Sequence, residues 1–428
     1  MNEPIRPSRR AFLAASASAA AAGALQPAAF PSIITGHARD DREIRIGLVG
    51  CGGRGTGAVS QALSTQGKIK LVAVGDAFAD NLDNALKALA NPQSGVSDKV
   101  AIDADHRFVG FDAFRKVVDS DVDAVIFATP PHFRPEHFEY AVSKGKHVFM
   151  EKPVAVDGFG IRRVLAAADV ADQKKLCVGV GLQRHHQYGY IETMKRVHGG
   201  EIGDLVAARC YWNQGFLWHK PRQPNWSDME WQMRNWLYFT WLSGDHIVEQ
   251  HIHNIDVINW AKQGHPVRAS GMGGRQVRTD AKFGHIFDHH DVHFEYADGS
   301  LLFSQCRQID GCSNQVSEHV VGTKGRADMS TGGWTISGAN AWQFPRKEGN
   351  EPYQTEHDDF FAAVRSGKIY NEARYGAEST LTAILGRMAT YSGRVVTWDE
   401  ALASERLGPD TYAFGDLPTP PVPTPGRG

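Results

Sequence analysis

The chain has 428 residues, 42% hydrophobic and 22% charged, with a formal net charge of −2. That length exceeds the ~250–300 residues at which a single core stops growing, so two domains are expected, and the near-neutral charge argues against nucleic acid or anionic membrane as a partner. Five scattered cysteines (Cys51, Cys177, Cys210, Cys306 and Cys312) form no close pair at metal-ligand spacing, which argues against a disulfide scaffold or a cysteine zinc site and leaves buried free thiols as the expectation.

Residues 1–40 read as targeting and linker rather than fold. Arg6, Arg9 and Arg10 precede an Ala-rich stretch from Ala11 to Ala22. The run Ser8-Arg9-Arg10-Ala11-Phe12-Leu13 resembles a bacterial twin-arginine signal, which exports proteins already folded and implies a periplasmic or otherwise exported location. A basic disordered tail or an unfolded-state secretion signal is the alternative. The stretch is too short and too Ala-rich for a stable membrane anchor.

From residue 44 strands and helices alternate. Apolar runs at Ile44–Val49, Lys70–Val74, Val122–Ala128, His147–Met150 and Leu176–Val180 read as buried strands, separated by helical stretches at Thr56–Leu63, Asn81–Leu89, Glu136–Ser143 and Leu165–Ala171. This α/β order predicts a doubly wound parallel sheet over 41–182. Beyond it, 183–408 reads as a second α/β domain with a large, mainly antiparallel open sheet. Its strands include Asp204–Trp212, Asp291–Tyr296 and Leu301–Cys306, and its helices Ile247–Trp260, Tyr353–Arg365 and Glu378–Tyr391. Asp298-Gly299 and Gly322-Thr323-Lys324-Gly325 read as hairpin turns. The Pro-rich tail, 409–428, is expected to be extended polyproline II or disordered, and the C-terminal helices are candidates to pack back on the first domain.

Gly50-Cys51-Gly52-Gly53-Arg54-Gly55 follows the first strand and opens a helix, the setting in which a glycine fingerprint binds a dinucleotide. Gly50 permits the turn, Gly52 lets backbone approach the pyrophosphate, and Gly55 packs helix on strand, with the phosphates at the helix N-terminus. Asp76 ends the next strand, placed to accept hydrogen bonds from a ribose diol. No Arg or Lys follows it in Ala77-Phe78-Ala79, which favours NAD over NADP. Thr129-Pro130-Pro131-His132 and Glu151-Lys152-Pro153 also fall at carboxyl ends of strands, where open α/β sheets bind ligands. A lysine beside a nicotinamide can hydrogen-bond a substrate hydroxyl and stabilise an alkoxide.

Taken together, the fingerprint, Asp76, Thr129-Pro130, Glu151-Lys152-Pro153 and Gly181-Leu182-Gln183-Arg184 resemble the glucose–fructose oxidoreductase / inositol dehydrogenase / MocA (Gfo/Idh/MocA) family over roughly 44–400. The resemblance implies bound NAD or NADP, sugar or cyclitol substrates, and a homodimer or homotetramer through the open sheet. It also implies a catalytic lysine in the Glu-Lys-Pro segment and an acid four residues before a histidine, matched here by Lys152, Glu249 and His253. The family usually has Asp where Glu249 stands. On one helix, Glu249 and His253 would share a face. His253 is the expected general acid/base, because an imidazole titrates near working pH. The expected cofactor contacts are Gly50, Gly52, Gly53, Arg54, Gly55, Asp76, Thr129, Pro130, His132, Glu151, Lys152 and Gln183.

Ten Trp and nineteen His are more than packing needs. Sugar rings suit Trp faces ringed by polar donors, so Trp212, Asn213, Arg234, Trp236, Arg184 and His253 are the expected substrate contacts. The insertion from Trp212 to Trp241 would otherwise serve as an interface or lid. No metal is expected: His246 and His251 sit five apart, poor helical spacing for convergence with Glu249, and His285, His289, His290 and His293 belong to another, strand-like segment, where alternation parts His289 from His290. The leading reading is an NAD-dependent sugar or cyclitol oxidoreductase with resident cofactor. A redox-neutral glycosidase cycling bound NAD, and a non-catalytic NAD- or sugar-binding protein, are the alternatives.

Overall fold

In the computed structural model, which describes residues 42–427, the first half folds around six short parallel strands. The twin-arginine segment lies outside the described residues. The strands are β1 (Ile44–Val49), β2 (Ile69–Asp76), β3 (Arg107–Val109), β4 (Ala124–Phe127), β5 (His147–Met150) and β6 (Val178–Val180). Their spatial order, β3-β2-β1-β4-β5-β6, reverses direction between β1 and β4 and opens a crevice at the carboxyl ends there. β4 and β6 are buried at every residue because helices cover both faces, which is why they read as unbroken apolar runs. The C-terminal helix Pro352–Ser366 joins this core: Phe360, Phe361 and Val364 pack with Ile46, Leu48 and Phe149.

The second sheet has nine strands: β7 (Leu205–Gln214), β8 (Arg268–Gly274), β9 (His289–Glu295), β10 (Leu301–Gln308), β11 (Gln315–Gly322), β12 (Gly325–Ser330), β13 (Gly333–Gly338), β14 (Trp342–Gln343) and β15 (Val396–Thr397). Its pairs are antiparallel except the central β7–β10 pair, which is parallel. Burial alternates along β9 and β10, so one face packs on the helices Ile252–Lys262 and Ala373–Ser392 and the other faces solvent. The β9–β10 hairpin turns at Asp298-Gly299, where Gly299 takes φ 81° and Asp298 Oδ1 accepts from the Ser300 N–H and hydroxyl at 3.0 and 2.7 Å.

Two expectations change. The helix predicted over Ile247–Trp260 is broken into a single turn, His246–Glu249, and a helix, Ile252–Lys262. Long-range bonds compete with the helix at the break: the Gln250 side chain accepts from Gln214 and Gln308, and His251 Nε2 meets Ser304 Oγ at 2.7 Å. The tail is extended but docked. The Leu417 carbonyl accepts from Gln232 Nε2 at 2.6 Å, and the Gly426 N–H donates to the Ser392 carbonyl at 3.0 Å. Prolines cannot donate, yet their neighbours' carbonyls still accept bonds from elsewhere in the fold.

Candidate active site

The glycine loop leaves the end of β1 into the helix Gly53–Leu63. Gly50 takes φ 95°, and a Cβ there would lie 2.6 Å from the Ala128 carbonyl carbon beyond β4. A Cβ on Gly55 would fall 1.9 Å from the Gly50 carbonyl oxygen. At Gly52 and Gly53 a Cβ would meet nothing within 4 Å. Gly52 N-caps the helix without a side-chain hydrogen bond, and the first turn holds no acidic residue. The helix therefore presents unpaired N–H groups and the positive end of its dipole to open space, which fits a pyrophosphate.

Asp76, buried at the end of β2, accepts from the Cys51 N–H at 2.7 Å, the Phe78 N–H at 2.8 Å and Asn81 Nδ2 at 3.3 Å. Burial pushes its pKa up and those bonds pull it down. A carboxylate has about four lone-pair sites, so one remains for a ribose hydroxyl. Gly50, Gly52, Asp76, Thr129 and Pro130 line one cavity of about 110 Å³, together with Phe78, Phe111, His137, Met233 and Trp236.

Several predicted cofactor contacts lie elsewhere. His132 turns away within the tight turn Pro131–Phe133, its Nε2 2.7 Å from the Tyr412 hydroxyl, and burial pushes its pKa down to about 3. His137, one helical turn on and not foreseen, lines the cavity instead, with its ring stacked on Phe114 at 4.0 Å. The Arg54 side chain is committed to Glu151, to Glu356 at 3.1 Å and to Gln61 at 2.9 Å, because two buried carboxylates need its charge. Glu151 is thereby engaged in turn, and Gln183 Nε2 donates to the Tyr353 hydroxyl at 3.2 Å.

Lys152 follows β5 and reaches the His246–Glu249 turn. Its Nζ donates to the Glu249 carbonyl at 2.6 Å and to Glu249 Oε1 at 3.0 Å. The pair is largely enclosed, with side chains 14% and 10% exposed. Glu249 Oε2 is buried without a partner among the described residues. Burial raises the Glu249 pKa, against the opposing charges of Lys152 and Arg134. His253 lies in the first turn of the next helix, its ring stacked on Trp212 at 5.7 Å and its Nδ1 buried without a partner among the described residues. Burial first, then the charges of Lys152, Arg184 and Arg54, hold its pKa well below the usual histidine range. His253 is thus a neutral imidazole rather than a group titrating near neutrality.

The other predicted substrate contacts separate from this centre. Arg184 is buried against Glu318 of β11, which also accepts from Tyr190 Oη at 2.9 Å and from Asn254. Asn213 follows Trp212 on β7 and so points to the opposite face of the sheet. Arg234 donates to Asp80 at 2.9 and 3.1 Å and to Glu230 at 2.9 Å, and lies 4.0 Å over the Phe78 ring. It thus stands beside the ribose-binding strand end, but two carboxylates balance its charge, so it offers little to a 2′-phosphate. Trp236 lines the nucleotide cavity.

Asp245, His246 and His290 bring one ligand-type atom each within 4.8 Å of one another. The Asp245 carboxylate is already filled: it accepts from the His246 N–H at 2.5 Å, the Phe287 N–H at 2.9 Å, the Tyr391 hydroxyl at 2.6 Å and His246 Nδ1 at 2.8 Å. Burial pushes the His246 pKa to about 4 despite Asp245. The group is a hydrogen-bonded hub joining the Glu249 turn, β9 and the helix Ala373–Ser392. Glu249, His246 and His251 do not converge. A cleft of about 780 Å³ lies against the tail, lined by residues such as Tyr391, Arg394, Leu407 and Pro421, and includes none of the predicted site residues.

A nucleotide crevice at a strand-order reversal, with a lysine–carboxylate–histidine centre and a large open sheet beside it, defines an NAD-binding oxidoreductase fold. Residues 44–182 match the "Oxidoreductase family, NAD-binding Rossmann fold" and residues 190–328 match the "GFO/IDH/MocA C-terminal domain". The chain belongs to the Gfo/Idh/MocA family, and NAD is the cofactor of its first domain. It is 33% identical to inositol 2-dehydrogenase of Klebsiella pneumoniae (strain 342) over 39% of this chain and 45% of that protein, so the match spans about half of the relative's length. It is 25% identical to inositol 2-dehydrogenase of Pseudomonas savastanoi pv. phaseolicola over 82% of this chain and 96% of that one. The fold is similar to aldose-aldose oxidoreductase from Caulobacter crescentus (TM-score 0.65, 18% identity, 83% of this chain and 100% of that one). It is also similar to scyllo-inositol dehydrogenase from Lactobacillus casei, solved with NAD(H) and scyllo-inositol (TM-score 0.62, 22% identity, 84% and 100%).

Proposed function

We propose that the chain transfers hydride between a secondary alcohol carbon of a sugar, sugar derivative or cyclitol and bound NAD. The observation that carries this reading is the set of unfilled polar positions around Lys152. Lys152 has three N–H donors and uses two on Glu249, leaving one for a substrate oxygen. Glu249 Oε2 and His253 Nδ1 are buried without partners among the described residues, a state that costs free energy unless a ligand's hydroxyls fill it. The Trp212 face beside His253 suits the C–H face of a sugar ring.

Bound NAD supplies the hydride acceptor. Neutral His253 accepts the hydroxyl proton as the carbonyl forms, and Lys152 holds the oxygen while its charge develops. Glu249 orients Lys152 through two hydrogen bonds and takes a neighbouring hydroxyl at Oε2.

The test mixes purified protein carrying its nicotinamide with sugars, cyclitols and aryl glycosides while reduced-cofactor absorbance is followed. Reduction that is lost in Lys152→Ala and in His253→Ala supports the reading, and normal turnover in both variants refutes it. Aglycone release without net reduced cofactor would instead assign a redox-neutral glycosidase cycle on the same residues.

Export follows from Arg9-Arg10: the full chain is expected outside the cytoplasm, and an Arg9→Lys, Arg10→Lys variant inside it, as read by cell fractionation. The outer face of the nine-stranded sheet, with Val206 and Met272 53% and 78% exposed, is the surface through which a homodimer or homotetramer would form. Light scattering on wild type and Met272→Asp tests that assembly.

A further inference from the structure

Three stretches distant in sequence meet at the adenosine end of the nucleotide cavity. From the Rossmann half come Asp76, Phe78 and Phe111. From the insertion, Met233 and Trp236 line the same cavity, while Arg234 between them grips Asp80 with two hydrogen bonds at 2.9 and 3.1 Å and covers Phe78. From the C-terminal segment, Phe414 stacks on Phe78 at 5.5 Å and lies 5.0 Å from Phe111, with Tyr412 5.7 Å from Phe111. That segment is tied to the insertion and, through the Tyr412 hydroxyl 2.7 Å from His132 Nε2, to the loop after β4. The Met229 N–H donates to the Gly415 carbonyl at 3.1 Å and Gln232 Nε2 to the Leu417 carbonyl at 2.6 Å.

We propose that the insertion 226–236 and the segment 409–417 form a clasp that holds the adenosine end of NAD and must lift before the dinucleotide can leave. This rests on the cavity's being the dinucleotide site. The cavity measures about 110 Å³, whereas pockets for drug-sized ligands run to ~300–1,000 Å³. Lifting the clasp separates stacked rings and the Arg234–Asp80 pair together, since Phe78 is common to both contacts. Cooperative opening of such a unit is slow relative to side-chain motion. A face that served only to join two halves of the fold would not need to line the cavity with Met233 and Trp236.

Full-length protein loaded with NADH is chased with excess NAD, and loss of bound-NADH fluorescence gives the exchange rate. Wild type is compared with Phe414→Ala, Arg234→Met and a chain ending at Gly408. Exchange is expected to quicken about tenfold or more in each, because such contacts act mainly on dissociation rates. If the shortened chain fails to fold, Phe414→Ala and Tyr412→Ala carry the comparison. Variants that melt like wild type yet exchange at its rate would overturn the clasp. Rapid exchange from wild type itself overturns it while leaving the cofactor assignment intact, and a wild type that binds no NAD overturns both.

Discussion

Replacing Lys152 by methionine keeps the unbranched apolar stem as far as Cε but deletes the ammonium, its charge and all three donors. Two effects follow, and they separate by assay. For catalysis, the donor expected to hold the developing alkoxide is gone. Loss of one such preorganised donor costs about 2.7–4 kcal/mol, a 10²–10³-fold fall in turnover. For stability, Glu249 loses the partner that holds two bonds at 2.6 and 3.0 Å in a largely enclosed pair. Removing one member of a buried pair can cost ~3–5 kcal/mol. Here burial already raises the Glu249 pKa, so the orphaned carboxyl can take up a proton instead, and a loss of about 1–3 kcal/mol is expected near neutrality. The sign with pH is fixed by that shift. In the variant Glu249 has a folded-state pKa above its unfolded value, so the destabilisation is full above the folded pKa and fades as pH falls through it. Single-turnover cofactor reduction measures the first effect, and denaturant melts at neutral and acidic pH the second. Adding Glu249→Gln should recover part of the stability while leaving turnover low, a coupling that a double-mutant cycle resolves. Wild-type turnover in Lys152→Met, or a stability loss that grows as pH falls, would refute the reasoning.

Gly55→Ala places a methyl 1.9 Å from the Gly50 carbonyl oxygen, backbone that cannot swing aside, so NAD affinity by fluorescence titration should collapse and the melting temperature fall. Asp76→Ala should weaken NAD much more than NADP, because only the former presents a 2′-hydroxyl to the carboxylate; equal losses would remove the ribose role. Burial pulls His186 down, but Glu372 and Asp359 outweigh it and hold its pKa up at about 10. Its contribution is therefore full below the ordinary histidine range and lost as pH rises through about 10. The stability of wild type should fall over that window more steeply than that of His186→Gln.

Much of the nucleotide half was legible because its chemistry is local. The glycine turn, Asp76 and Lys152 each sit at the end of an apolar run, and strand, turn and helix succeed one another within a few residues, so position in sequence is position in space. Trp212 stands out by composition and His253 through the family resemblance, and the structure stacks them. Alternation along β7 sends Asn213 to the face opposite Trp212, a signal the sequence itself carries. The broken helix before His253 carried no local mark: Gln250 and His251 leave the helical path for partners on β7 and β10.

What the chain determined by itself is the dinucleotide loop and the doubly wound parallel sheet, while Lys152, Glu249 and His253 were candidates through the family resemblance. Only the tertiary structure decided where the long-range charges went. Arg184 finds Glu318 134 residues away, and Arg234 finds Asp80 154 residues back. A buried or half-buried guanidinium takes whichever carboxylate the fold delivers, and no spacing rule announces that partner. The same folding carries Met233 and Trp236 of the aromatic insertion to the nucleotide cavity while Trp212 stays beside His253, and lays the Pro-rich tail onto the insertion.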